Sequence, residues 1–206
     1  MLVTLFFVQL AGLVSPGPDF FYISRRAASS NRRNAIFAAI GISLGIAFWA
    51  MLAVFGLGFL GKTVKPISYI IMLLGGLFLG YTGLKMVRVT ENAQFDNRKL
   101  EQKTSAKQEI LDGLWINLSN AKVVVFFSSI LSGYTAQFTQ ISDYFIVLAM
   151  LVLSTFCYFS LVAILFSHQK ICKFYAKYNR YIDNFSGCIF LFFGGSLVYG
   201  AVKFFM

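Results

Sequence analysis

Six long apolar stretches, separated by short polar intervals, fix what this chain can fold into. They fall at about 2–23, 35–60, 67–87, 110–133, 143–167 and 184–205, each close to the ~17–25 residues that a tilted helix needs to cross a bilayer. A chain of 206 residues that is 58% hydrophobic and 13% charged has too much apolar surface for a soluble fold, whose usual mix is ~45–50% apolar and ~25% charged. The expected fold is an all-α polytopic membrane protein with six transmembrane helices. The first stretch has no basic residue before it and no small-x-small cleavage site after it, so it reads as a span rather than a removable leader.

The formal charge of +10 would suggest nucleic acid in a soluble protein, but its distribution indicates topology instead. Arg25, Arg26, Arg32 and Arg33 fall in loop one. Lys85, Arg88, Arg98, Lys99, Lys103 and Lys107 fall in and beside loop three, and Lys170, Lys173, Lys177 and Arg180 in loop five. Lys62, Lys65 and Lys203 fall on the opposite side. Basic residues concentrate in cytoplasmic loops, so both termini are expected to face outward, and no nucleic-acid partner is expected. The hydrophilic segment 88–109, with Glu91, Asp96, Glu101 and Glu109 among its basic residues, reads as a solvated cytoplasmic linker.

That linker separates two similar halves, repeat one at about 1–87 and repeat two at about 110–206. Span three carries Gly75-Gly76, Tyr81 and Lys85, and span six carries Gly194-Gly195, Tyr199 and Lys203 at nearly the same spacing. Spans one and four each pass from Gly-Leu (Gly12-Leu13, Gly113-Leu114) through a polar break to an aromatic pair (Phe20-Phe21, Phe126-Phe127). Three spans per repeat is odd, so the halves must insert in opposite orientation. The expected architecture is a 3+3 inverted-topology repeat, as in many secondary transporters.

Both polar breaks offer places for a polar substrate. In Ser15-Pro16-Gly17-Pro18-Asp19 two prolines remove backbone donors and disfavour helix before them, and Pro18 suits the first position of a new half-helix. Asp19 would sit at that N-terminus, where the helix dipole favours an anion. Broken backbone at membrane depth is tolerated only against protein or a water-filled cavity. The matching place in span four holds Asn117-Leu118-Ser119-Asn120-Ala121-Lys122, whose polar groups should face inward for the same reason. Asp19 and Lys122 could form a buried salt bridge between the halves. They could instead receive a zwitterion, Asp19 taking the ammonium or a coupling proton and Lys122 the carboxylate. Both arrangements could alternate within one cycle.

Ser15-Pro16-Gly17-Pro18-Asp19-Phe20-Phe21, with Gly41-Ile42-Ser43-Leu44-Gly45 and Trp49, resembles the first half of the homoserine/threonine exporter branch of the lysine exporter superfamily. The segment from Asn117 to Lys122, Phe126-Phe127 and Asp183-Asn184-Phe185-Ser186-Gly187 extend the likeness through the second half. The resemblance implies a transporter rather than an enzyme: a proton-driven exporter of neutral amino acids, threonine or homoserine among them, in the bacterial inner membrane. Its candidate binding or coupling residues are Ser15, Pro16, Gly17, Pro18, Asp19, Asn117, Ser119, Asn120 and Lys122. Trp49 is kept with them, although its depth in span two suits the core better. Two departures bear on the substrate: Ala121 stands where the family usually has proline, which suggests a milder second break, and Cys157-Tyr158 stands where an aromatic pair is common.

The other features suggest packing. Cys157, Cys172 and Cys188 are too far apart for redox or zinc chemistry, and His168 is the one histidine, so no metal or cofactor is expected. The alternatives are a membrane redox or metal-handling protein on a six-span scaffold, which would want paired cysteines or a His-rich loop that this chain lacks, and a non-transporting structural membrane protein, which unlike a transporter would show no substrate-dependent thermal stabilisation. Gly41-x3-Gly45 and Gly76-x3-Gly80 let helices approach closely, within the chain or across a homo-oligomer. Tyr134, Tyr144, Tyr175, Tyr178 and Tyr181 are expected as interfacial anchors, and His168 as an interfacial residue at the cytoplasmic end of span five.

Overall fold

The structure, a computed structural model, describes residues 2–29, 32–63, 65–88, 90, 104–134 and 140–206. All eight elements among them are helices: α1 (Leu2–Val14), α2 (Pro18–Ser29), α3 (Arg32–Thr63), α4 (Lys65–Val87), α5 (Ala106–Leu118), α6 (Ala121–Tyr134), α7 (Ile141–Phe166) and α8 (Gln169–Phe205). Glu91, Asp96, Arg98, Lys99, Glu101 and Lys103 of the expected linker lie outside the described residues.

Among the described residues, α3, α4, α7 and α8 are each long and apolar enough to cross a membrane. The pair α1–α2, bent by 58° at its break, meets the same test of length and composition only when its two helices are taken together. The expected fourth span, 110–133, is two helices of 13 and 14 residues, each too short to cross alone. Two expected loops are helical instead. Arg26 lies on α2, and Lys170, Lys173, Lys177 and Arg180 lie on the first turns of α8, which runs for 37 residues.

Helix α3 forms the centre of the core, because one of its faces is built from small and branched residues. Ala35, Ala38, Ala39, Ile42, Ala50 and Val54 are fully buried, and they let α5 and α7 pack on it. The glycine spacings work within the chain. A Cβ on Gly41 would meet the Ile110 carbonyl at 2.0 Å, and one on Gly113 the Ala38 carbonyl at 2.3 Å. Between α4 and α8, a Cβ on Gly76 would lie 2.8 Å from the Gly194 carbonyl, and one on Gly187 2.8 Å from the Gly83 carbonyl. The two glycine motifs that suggested a repeat therefore face each other.

Some expectations need correcting. Tyr175 is buried, its ring 5.0 Å from that of Phe20 and 5.2 Å from that of Phe166, so it is a packing residue and not an interfacial anchor. Tyr144 is part-buried and stacks on Phe55, Tyr178 and Tyr181 are exposed, and the Tyr134 side chain lies outside the described ones. Only Cys172 is buried. Cys157 and Cys188 are exposed, on helices whose outer faces carry large apolar side chains such as Leu153, Leu161 and Phe192.

Candidate functional site: the meeting of two helix breaks

Helix α1 ends at Val14, where Ser15 donates its backbone N–H to the Ala11 carbonyl, and α2 begins at Pro18. The three residues between, Ser15, Pro16 and Gly17, form the break. The second break is shorter. Ser119 caps α5, donating its N–H to the Trp115 and Asn117 carbonyls. Asn120 then opens α6, its Oδ1 accepting from the Lys122 N–H at 3.1 Å, as an N-cap side chain does. Ala121 occupies the first helical position of α6, as Pro18 does in α2, so the missing proline leaves the break in place. Asp19 and Lys122 thus stand at the same position of their half-helices, one residue inside the start.

A positive side chain at a helix N-terminus is opposed by the dipole, and the packing of the other half offsets this. Lys122 donates from Nζ to the carbonyls of Gly12 (3.1 Å) and Ser15 (2.7 Å). These are C-terminal carbonyls of α1, which lack partners in their own helix and carry the negative end of its dipole. The ammonium also sits 5.4 Å from the centre of the Phe190 ring, within cation–π range. Asp19, 7% exposed, accepts at Oδ2 from Asn117 Nδ2 (2.8 Å), while its Oδ1 is buried without a hydrogen-bond partner. Among the described residues no ion pair joins Asp19 to Lys122; Arg26 and Glu109 form one elsewhere.

Both groups line one cavity of about 40 Å³, room for roughly three waters at ~10–15 Å³ each. Ser15, Gly17 and Asn120 line it too, with Phe20, Phe126, Phe127 and Phe159 among its apolar walls. The structure therefore brings together Ser15, Gly17, Asp19, Asn120 and Lys122. Asn117 joins them through Asp19, and Pro16 is half-buried within the break. Three candidates stand apart. Pro18 starts α2 but is exposed, Ser119 is exposed and serves as a cap, and Trp49 packs on the core without lining the cavity.

Two features escape the sequence reading. Gln9 lines the cavity, 3% exposed, and its Nε2 donates to the Leu151 carbonyl and Thr155 Oγ1, both at 2.9 Å. A lone glutamine in an apolar helix was the available signal. Glu109, expected in a solvated linker, is instead fully buried on α5. Arg26 of α2 donates from Nε to both its oxygens, at 2.8 and 2.9 Å, and from Nη2 as well. Tyr22 (3.4 Å) and Thr104 also donate to it. The pairing joins residues 83 positions apart, which no local pattern reveals.

The LysE type translocator family model matches residues 10–201. An uncharacterized membrane protein of Haemophilus influenzae is 46% identical over 206 residues, covering 98% of each chain. The threonine efflux protein of Salmonella typhi is 33% identical, covering 95% of this chain and 96% of its own. The threonine efflux protein of Escherichia coli is 30% identical, covering 96% and 97%. No solved structure matches.

Proposed function

Because the chain belongs to the LysE type translocator family, we propose that it exports small neutral amino acids, threonine or homoserine among them, across the bacterial inner membrane in exchange for protons. The observation that carries this reading is the shared cavity at two helix breaks, with an unpartnered acid oxygen on Asp19 and the ammonium of Lys122 on carbonyl oxygens. A zwitterion matches both. Its ammonium supplies the donor that Asp19 Oδ1 lacks, and its carboxylate draws Lys122 from neutral carbonyls to a full negative charge, a stronger partner. With the amino acid gone, the same carboxyl oxygen can take a proton, so one site serves substrate and coupling ion in turn.

Alternating access rests on the halves forming an inverted 3+3 repeat. In support, α3 packs on α7 and α4 on α8, each helix against its counterpart. With the basic-rich end cytoplasmic and both termini outside, the Arg26–Glu109 clamp ties the cytoplasmic halves of α2 and α5. In this reading α2 and α5 must part there to admit an internal amino acid.

The test is counterflow of labelled threonine in proteoliposomes of the full chain, with and without an imposed pH gradient. Expected are uptake of label in exchange for internal threonine, faster when the imposed gradient drives protons outward and slower when it drives them inward. If none of the twenty amino acids moves or competes, the reading falls.

A further inference from the structure

Gln9 has a fixed orientation. Ser154 Oγ and Thr155 Oγ1 each donate their own proton to the Leu151 carbonyl, at 3.2 and 2.8 Å. Of these three oxygens the Leu151 carbonyl can only accept, whereas each hydroxyl can accept or donate. All three surround the same amide nitrogen, Nε2, at 2.9–3.3 Å. Turning the amide over would set its oxygen 2.9 Å from the Leu151 carbonyl, which has no proton to offer, so the nitrogen faces α7 and Oε1 faces away from that carbonyl. That oxygen is buried and has no hydrogen-bond partner, on a residue that lines the same cavity as Asp19 and Lys122. Gln9 lies three residues before Gly12, whose carbonyl holds the Lys122 ammonium, which is about 4.5 Å along the helix.

Resting on the export reading above, we propose that Gln9 is a specificity-determining residue that accepts a hydrogen bond from the side-chain hydroxyl of the transported amino acid. A substrate with its carboxylate at Lys122 and its ammonium at Asp19 sets its side chain toward Gln9. A hydroxyl there satisfies the stranded oxygen. A methyl of equal size leaves it buried and unsatisfied, a loss that disfavours the alkyl analogue by roughly tenfold or more.

The experiment uses the purified full chain and two matched pairs, threonine with valine and serine with alanine. It measures competition against labelled threonine counterflow and substrate-induced thermal stabilisation. In the wild type each hydroxyl amino acid should outcompete its partner by about tenfold. In Gln9→Leu the two members of each pair should converge, threonine losing and valine gaining. Equal competition by threonine and valine in the wild type overturns the proposal, whether or not Gln9→Leu folds. A hydroxyl preference that survives Gln9→Leu overturns it as well. If no amino acid competes at all, the export reading fails, and this one with it.

Discussion

Gly45 sets how closely α3 approaches the site, and adding one methyl group there tests the geometry. A Cβ on Gly45 would lie 2.4 Å from Asn117 Oδ1 and 2.8 Å from Asn117 Cβ, against 3.4 Å for the tightest ordinary contact. Relief at Oδ1 requires a retreat of about 1 Å, and because Cβ also clashes, a rotamer change cannot supply it; α5 itself must shift. The bond from Asn117 Nδ2 to Asp19 is 2.8 Å long, so a shift of that size takes it beyond hydrogen-bond range. Overpacking of this kind costs about 1–3 kcal/mol. Gly56 is the control: it lies on the same helix, and a Cβ there meets nothing within 4 Å. Alanine replaces glycine in a helix at both positions and gains about 1 kcal/mol of propensity in each, so that contribution cancels between them. At ~2–4 °C per kcal/mol for a chain of this size, Gly45→Ala should melt about 2–12 °C below Gly56→Ala and lose threonine flux, because Asp19 loses the amide of Asn117. Thermal unfolding in detergent and counterflow in proteoliposomes read the two effects. Equal melting and equal flux for the two variants would refute the idea that α3 holds Asn117 on Asp19 by close approach.

Asp19→Asn keeps a carbonyl oxygen for Asn117 but removes the anion, so it should insert and melt like the wild type while abolishing flux; wild-type flux would remove Asp19 from the mechanism. Lys122→Met leaves the carbonyls of Gly12 and Ser15 without their donor. It should lower the melting temperature and end threonine-dependent stabilisation, measured by a thermal shift across threonine concentrations. Glu109→Gln leaves the Arg26 guanidinium buried without its anion, a change that costs about 3–5 kcal/mol. Replacing both residues by Met should recover much of that loss, and a double-mutant cycle of melting curves checks it.

Local patterns in the sequence were enough for the helical class, the membrane and the position of both breaks, because span length and proline placement act within a few residues. Prolines at 16 and 18 stop a helix whatever surrounds them, and Asn120 caps α6 through a bond to a residue two positions away. The same short range explains the misreadings. Glu109 looked solvated because its neighbours in sequence are charged, and only the packing of α2 on α5 supplies the arginine that makes its burial tolerable. Tyr175 looked interfacial until Phe20 and Phe166 met it from two other helices. Asp19 and Lys122 were legible as a pair of charges at matching breaks, but their partners were not. Whether they bond each other or separate groups depends on how α1, α5 and α6 converge. The sequence by itself determined that the chain is helical, that several of its helices are long and apolar enough to cross a membrane, and where two breaks fall, since these follow from hydrophobicity and backbone chemistry. Only the tertiary structure decided that Lys122 rests on the end of α1, that Asp19 and Gln9 each keep one acceptor empty, and that Arg26 closes on Glu109. Each of these depends on contacts between residues 83 or more positions apart or on their absence, and a hydrogen bond is set by distances of about 3 Å that sequence separation does not encode.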